Sequence, residues 1–294
     1  KDIEQASVII SDNRAGDLNQ LGFTPSNMVD MSILNDAENN KNFLFLTDGA
    51  TEPKYFEIDT AKALANNAFT FEDVSLIKPA PYTAPLIELQ KTDSKEENYL
   101  ETKFFSFAYR YIYDNNEISA VSPFSEFAFM PNEFRYDYNS GTNKSMENEY
   151  NKAVVSFNTG SKSVKKIEIL AKQSGDDITY IVEKLDKEDK GWNDNAVYEY
   201  TFTNSKVYKA LPESQLRRVY DNVPRKAKTL EIIGNRVVFG NYTENYNMSN
   251  SGASIIPKLD LSYTSTSGTK GIPHKTIKTN MDYEVGISYT DGKG

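Results

Sequence analysis

The most regular stretch of the chain runs from Phe104 to Tyr113. Phe105, Phe107, Tyr109, Tyr111 and Tyr113 fall on one face, and Phe104, Ser106, Ala108, Arg110 and Ile112 on the other. A period of two is the period of a β-strand. Large groups on both faces predict a central strand covered on both sides. Asp114-Asn115-Asn116 then turns the chain, since Asn tolerates positive φ. Residues 117–121 read as the hairpin partner, which Pro123 ends or limits to an edge, and 125–130 continue the aromatic run.

Other segments repeat this grammar. Residues 42–47 form an apolar run that stops at Asp48-Gly49, a turn dipeptide, and 52–58 follow as a second strand entered through Pro53. Strands are predicted over 153–157, 164–172, 179–185 and 197–202, punctuated by Thr159-Gly160-Ser161 and Gly175-Asp176-Asp177. Within 164–172, Ile167, Ile169 and Ala171 point inward; Lys166, Glu168, Leu170 and Lys172 point outward or to an interface. A hairpin is predicted from 230–233 through Gly234-Asn235 to 236–240, with further strands at 7–10 and 283–289. The last has no partner before the chain stops. One short helix is expected over 60–67 with Thr60 as N-cap. Residues 13–19, 27–40, 134–152 and 242–258 read as polar loops. Residues 78–86, with Pro79, Pro81 and Pro85, read as an extended crossing, and 186–194 as a charged loop holding Trp192. Residues 205–228 break the pattern. Five or six strands between Phe104 and Thr203 approach the seven in about 100 residues of an immunoglobulin-like sandwich. The fold class is all-β.

Composition narrows the function. The chain has 294 residues, 12% of them aromatic, with 33 Lys+Arg against 42 Asp+Glu for a net charge of −9. Length allows one large domain or two to three small ones. The acidic balance argues against a whole-chain binder of nucleic acid or anionic membrane. No stretch approaches eighteen uninterrupted apolar residues, so no transmembrane helix is expected. With no Cys, disulfides, zinc–thiolate sites and cysteine nucleophiles drop out. His274 is the only His, in a polar loop context, so a Ser-His-Asp triad or a His-based metal site would have to use it. No phosphate-binding or dinucleotide-binding glycine motif occurs, nor an EF-hand loop. The expectation is no catalytic, cofactor or metal residue, with an oxygen-ligand Ca²⁺ or Mg²⁺ site left open at acidic turns such as Asp176-Asp177 and Asp186/Glu188/Asp189/Asp194. The stripe Phe105, Phe107, Tyr109, Tyr111 and Tyr113 reads as sandwich core, with a stacking platform for bases or sugars as the competing reading. Arg217, Arg218, Arg225, Lys226 and Lys228 form the one basic cluster. They read as solvated or as salt-bridge partners at a subunit interface, with a DNA contact as the competing reading.

Four stretches resemble one family, in order and spacing. These are 43–54 (Phe-Leu-Phe-Leu-Thr-Asp-Gly-Ala-Thr-Glu-Pro-Lys), 109–123 with its Tyr-x-Tyr-x-Tyr, turn and Glu-x-Ser-x-x-Ser-Pro, 220–227 with 232–242, and 283–291. The chain resembles tail nozzle proteins of short-tailed bacteriophages, most closely the muzzle proteins of crAss-like phages. It departs from them in lacking their distal part and in carrying Asn115-Asn116 where the hairpin turn usually has Gly. The resemblance implies a propeller-like platform with an inserted fibronectin-like sandwich: platform at 1–100, sandwich at 101–215, return to the platform at 216–294. It implies a homo-oligomeric ring, usually of six copies, at the distal end of the tail in the virion, assembled in the bacterial host cytoplasm. Such a ring passes DNA and ejected proteins, docks tail fibres and other tail proteins, inserts no segment into a membrane and catalyses nothing. The Lys1 start is read as a sign of a processed or trimmed chain, a fragment of a longer polypeptide, and the unpartnered last strand as a sign that the polypeptide continues or that another chain supplies the partner. An alternative reading of the same composition is a secreted or surface adhesion protein that binds glycans.

Overall fold

The structure is a computed structural model that describes residues 11–12, 21–38, 40–63, 69–92, 98–206, 208–216, 218, 221–234, 236–244, 249–250, 253–254, 258, 260, 262, 282 and 284–287. The chain divides into two units. The first joins Lys1–Lys78 to Asp221–Lys258, and the second joins Pro79–Tyr220 to Leu259–Gly294. The expected boundary at 100/101 therefore moves, because the strand at 86–90 has its ladder partner in the second unit, and the return expected over 216–294 narrows to 221–258, since 259–294 group with the second unit.

The first unit opens with β1 (Asp30–Asp36), β2 (Lys41–Thr47) and β3 (Lys54–Glu57), an antiparallel meander in that order. β1 lies in a segment expected to be loop. Its alternation is masked by flanking Asp and Asn, yet all seven residues pair with β2. The Asp48 carboxylate holds the next turn, accepting from the Ala50 and Thr51 N–H groups at 3.0 and 2.8 Å, the usual role of Asp in such turns. The expected helix is α1 (Ile58–Ala63), and its Thr60 sits inside it, donating to Glu57 at 2.8 Å instead of capping; residues 64–67 lie outside the described residues. α2 (Phe71–Val74) follows; the Asp73 carboxylate accepts from the Thr70 N–H at 2.7 Å. The continuous apolar run of β2 buries both faces. Leu44 and Leu46 join Leu21, Phe56, Phe69 and Val74 on one side, and Phe45 joins Leu76 and Leu230 on the other.

The second unit contains β4 (Leu86–Gln90), β5 (Phe105–Tyr113), β6 (Tyr136–Asp137), β7 (Thr142–Asn143), β8 (Lys152–Asn158), β9 (Val164–Gln173), β10 (Thr179–Asp186), α3 (Lys187–Lys190), β11 (Val197–Phe202), β12 (Lys209–Ala210) and α4 (Glu213–Leu216). They form a four-stranded sheet, β12-β10-β9-β5, a three-stranded sheet, β11-β8-β4, and the small β6-β7 hairpin. Both larger sheets feed one cluster: Phe105, Phe107 and Tyr109 of β5 and Ile167 and Ile169 of β9 meet Val155 and Phe157 of β8, Leu89 of β4 and Phe202 of β11.

β5 is not central, as its two apolar faces suggested; it ends the ladder of its sheet. The hairpin partner expected at 117–121 is not a strand either. Ser119, Ser122, Ser125 and Ala128 donate their N–H groups to the carbonyls of Tyr111, Tyr109, Phe107 and Phe105. The hydroxyls of Ser119, Ser122 and Ser125 accept from the N–H groups of Tyr111, Tyr109 and Phe107 at 3.0, 3.0 and 2.9 Å. Three residues here match two of β5, so one residue per repeat bulges out of line, and serine oxygens supply the acceptors that a regular strand would supply from its carbonyls. The other face of β5 and β9 is covered too, with Ala108 and Leu170 packed against Leu211, Phe124 and Leu216.

The chain returns to the first unit with β13 (Lys226–Ile233) and β14 (Arg236–Thr243), an antiparallel hairpin at the expected place. The Thr47 hydroxyl donates to the Ala227 carbonyl, and the Leu230 N–H donates to Asp30 at 3.0 Å. β15 (Ser249–Asn250) and β16 (Ala253–Ser254) pair as a two-residue ladder. The strand expected at 283–289 is not formed over 284–287, which is exposed and irregular with no ladder partner among the described residues. The rest of it, the strand expected at 7–10 and His274 lie outside the described residues.

Candidate functional site

The aromatic stripe of β5 cannot act as a stacking platform, because Phe105, Phe107, Tyr109, Tyr111 and Tyr113 are all buried in the shared cluster. Phe202 meets Phe105 and Phe107 edge-on at 5.1 and 5.0 Å, and Phe157 meets Tyr109 at 5.9 Å, the geometry that ring quadrupoles favour. The Tyr111 hydroxyl donates to the Asn158 carbonyl at 3.2 Å and that of Tyr113 to the Pro79 carbonyl. Burial, with Tyr109 beside it, pushes the Tyr111 phenol well above its ordinary value. Gly160 is required next to it: its φ is +67°, and an added Cβ would lie 2.9 Å from both Tyr111 Cζ and Val164 Cγ2.

On the opposite face of β5, Arg110 and Glu168 form a buried ion pair. Arg110 Nη2 and Nε reach the same carboxylate oxygen at 2.6 and 2.7 Å, and Nη1 donates to Gln215 at 2.9 Å. Lys184 stands 3.7 Å from the other oxygen. Glu168, expected outward or at an interface, is buried within the unit, because 211–216 covers this face.

The basic cluster does not come together in one unit. Arg218 belongs to the second and donates to the Ile118 carbonyl at 2.7 Å, whereas Arg225, Lys226 and Lys228 belong to the first and Arg217 lies outside the described residues. The acidic turns have structural occupations. Asp176 accepts from the Ile178 N–H and the Tyr180 hydroxyl at 2.9 and 3.1 Å. Asp186 accepts from the Glu188 N–H at the start of α3 and pairs with Lys166 at 2.9 Å; its hydrogen bond with Lys166 holds the carboxyl below the usual range. Asp194 takes the buried Lys187 ammonium at 2.7 Å. Among the described residues no group of three or more His, Asp or Glu could hold a metal ion.

Two features were missed by the sequence reading. The first is the β6–β7 hairpin, in a stretch read as loop. Phe134, Tyr136 and Tyr138 are 77%, 43% and 89% exposed. The Phe134 and Tyr136 ring planes lie within 10° of parallel at 6.5 Å, and Tyr138 meets Tyr136 edge-on at 5.1 Å. Asp137 steadies the tip: its carboxylate accepts from the Asn139 N–H at 2.9 Å and pairs with Lys144 at 3.3 Å. Exposed aromatics of about 150–250 Å² each, set among Asn, Ser and Gly, match the chemistry of protein-recognition loops. The signal was present as Phe-x-Tyr-x-Tyr just before Asn-Ser-Gly. The second is a groove of about 390 Å³ along β10 and β11, lined by residues that include Glu183, Asp186, Trp192, Glu199 and Tyr200. Burial, with Glu183 nearby, pushes the Tyr200 phenol up to about 12. No protein-family model and no curated protein matches this chain significantly.

Proposed function

We propose that this chain is a non-enzymatic structural protein of a short bacteriophage tail, a nozzle or muzzle subunit that lines the distal exit for DNA and ejected proteins and docks tail fibres. The observation that carries the reading is the order of the units. Pro79–Tyr220 stands between the two segments that build the first unit, and an insertion within a platform is the organisation of the proteins the sequence resembles. On this reading the first unit is the platform, with propeller-like character. The second is a fibronectin-like sandwich of four and three antiparallel strands on one core. Copies assemble in the host cytoplasm and join the virion as a ring of six. With a net charge of −9 per copy, a lumen that takes its share of the acids repels phosphates, so that duplex DNA slides through. The β6–β7 aromatics are the proposed contact for a fibre or adaptor protein, since Tyr-rich patches anchor protein interfaces.

Immunogold labelling of purified virions with an antibody to this chain tests the reading. Label at the distal tail tip is the expected result; label absent even after particle disruption would overturn it. The exposed row Phe134/Tyr136/Tyr138 also favours a second reading, a surface or secreted adhesin that stacks sugar rings, and reproducible binding of the purified chain on a glycan array would move the assignment there.

A further inference from the structure

The two large sheets of the second unit treat their edges differently. In the four-stranded sheet, β5 is sealed by the serine-bracketed segment, and β10 pairs with β12 at Tyr180 and Ile181. In the three-stranded sheet, β11 and β4 are the two end strands, and neither outer edge has a ladder partner among the described residues.

The direction of the open groups follows from the ladder. The Thr159 N–H donates to the Ala196 carbonyl at 2.9 Å, and the Ala196 N–H returns to the Thr159 hydroxyl. Residues 196 and 159 are therefore a hydrogen-bonded pair. Alternation in an antiparallel ladder then turns Tyr198, Tyr200 and Phe202 toward β8, and the N–H and C=O groups of Val197, Glu199 and Thr201 outward. The same alternation carried across β8 turns those of Ile87 and Leu89 outward from β4.

Neither edge carries a Lys, a Pro or a bulge: β11 reads Val-Tyr-Glu-Tyr-Thr-Phe and β4 reads Leu-Ile-Glu-Leu-Gln, each with a single charge, Glu199 and Glu88, whereas solitary edges are more fully blunted by charges, Pro, bulges or cover. Each also presents an apolar side chain on the sheet's outer face, Val197 at 67% and Leu86 at 75% exposure. β4 and β11 are both antiparallel to β8 and so run parallel to each other. A second copy set beside the first in the same sense therefore brings its β4 alongside the first copy's β11, and every further copy repeats the contact. A head-to-tail contact of this kind closes into a ring when its rotation closes.

We infer that the three-stranded sheet continues from copy to copy, with β11 of one subunit pairing along β4 of the next. The inference rests on the ring proposed above and names its seam. Main-chain hydrogen bonds hold the junction, as in other strand additions, while Val197 and Leu86 lose solvent on the outer face.

The test exploits the absence of Cys from the chain. Glu199→Cys and Glu88→Cys place one thiol each on the exposed outer face of β11 and β4. The two variants are co-expressed, purified together and treated with a short bis-maleimide. A cross-linked dimer from the mixture, absent from either variant alone, is the expected result. Dimers of Glu199→Cys with itself would overturn the seam in favour of an antiparallel β11–β11 contact. A second variant, Glu199→Pro, removes an outward N–H without touching the β8 ladder. By sedimentation it should associate about tenfold or more weakly than the unaltered chain, with its strand content by circular dichroism retained. Rings that form equally well with Glu199→Pro, and give no mixed cross-link, overturn the seam and leave the ring standing. Mixed cross-links in open chains that never close keep the seam and overturn the ring, and an unaltered chain that stays monomeric overturns both.

Discussion

Arg110 and Glu168 face each other from neighbouring strands, and both are buried. Two charges taken out of water are costly unless each is satisfied, and here Gln215 and Lys184 complete the set. Arg110→Ala leaves a buried carboxylate with only the half-exposed Lys184 ammonium at 3.7 Å, and is expected to cost about 3–5 kcal/mol in urea unfolding. Replacing both partners together by Met and Leu should cost less than that single change, because no orphaned charge remains. This pair was not legible as a pair: Arg110 was placed on one face of the strand over 104–113 with no partner named, and Glu168 was read as facing outward or an interface. Nothing local in 164–172 announces that a segment some forty residues later will cover it. Gly160 was legible as a turn residue but not as a packing requirement. Gly160→Ala is expected to destabilise the chain through both its φ of +67° and the clash with Tyr111 and Val164, read as a lower midpoint in thermal unfolding.

At the scale of elements, legibility followed locality. β5, β11 and the β13–β14 hairpin carry their own periodicity or their own turn, and the sequence placed them within a few residues. β4 was missed because five residues after a proline-rich crossing give too short a pattern, and its partner β8 lies far along the chain. The serine-bracketed segment was misread because spacing by three belongs to neither strand nor helix. Its physics makes a clear prediction. Ser122→Ala deprives the buried Tyr109 N–H of its acceptor, and an unsatisfied buried donor costs about 1–3 kcal/mol. Ser119→Ala and Ser125→Ala should behave alike at Tyr111 and Phe107, with the smaller loss at the half-exposed Ser125. Conversion to Thr, which keeps the hydroxyl, should recover part of each loss. If all three alanine variants unfold at the denaturant concentration of the parent, the hydroxyls are not the seal of this edge.

For the whole molecule, the titrating groups bracket a wide pH range. One His and no Cys leave little that ordinarily titrates between about pH 5 and 8. Below that range, Asp30, Asp137 and Asp186 are held beneath their ordinary value, first by hydrogen bonds from Thr229, the Asn139 N–H and Lys166 respectively. Their contribution is present above about pH 4 and fades as the pH falls through their lowered folded values. Above the range, tyrosines take over. Burial raises Tyr111 and Tyr208 and brings Tyr200 to about 12, against an ordinary 10.0. The folded chain keeps these protons where the unfolded chain releases them, so stability is whole below about pH 10 and falls as the pH climbs through 12. Urea unfolding measured across the full range should therefore trace a plateau with an acid limb and a steep alkaline limb. Tyr200→Phe removes one of the phenols that build the alkaline limb, and between pH 10 and 12 its unfolding free energy should decline less steeply than that of the parent. An unchanged alkaline slope in that variant would mean that Tyr200 ionises in the folded chain as readily as in the unfolded one, and that the wall of the groove between β10 and β11 is wetter than its packing implies.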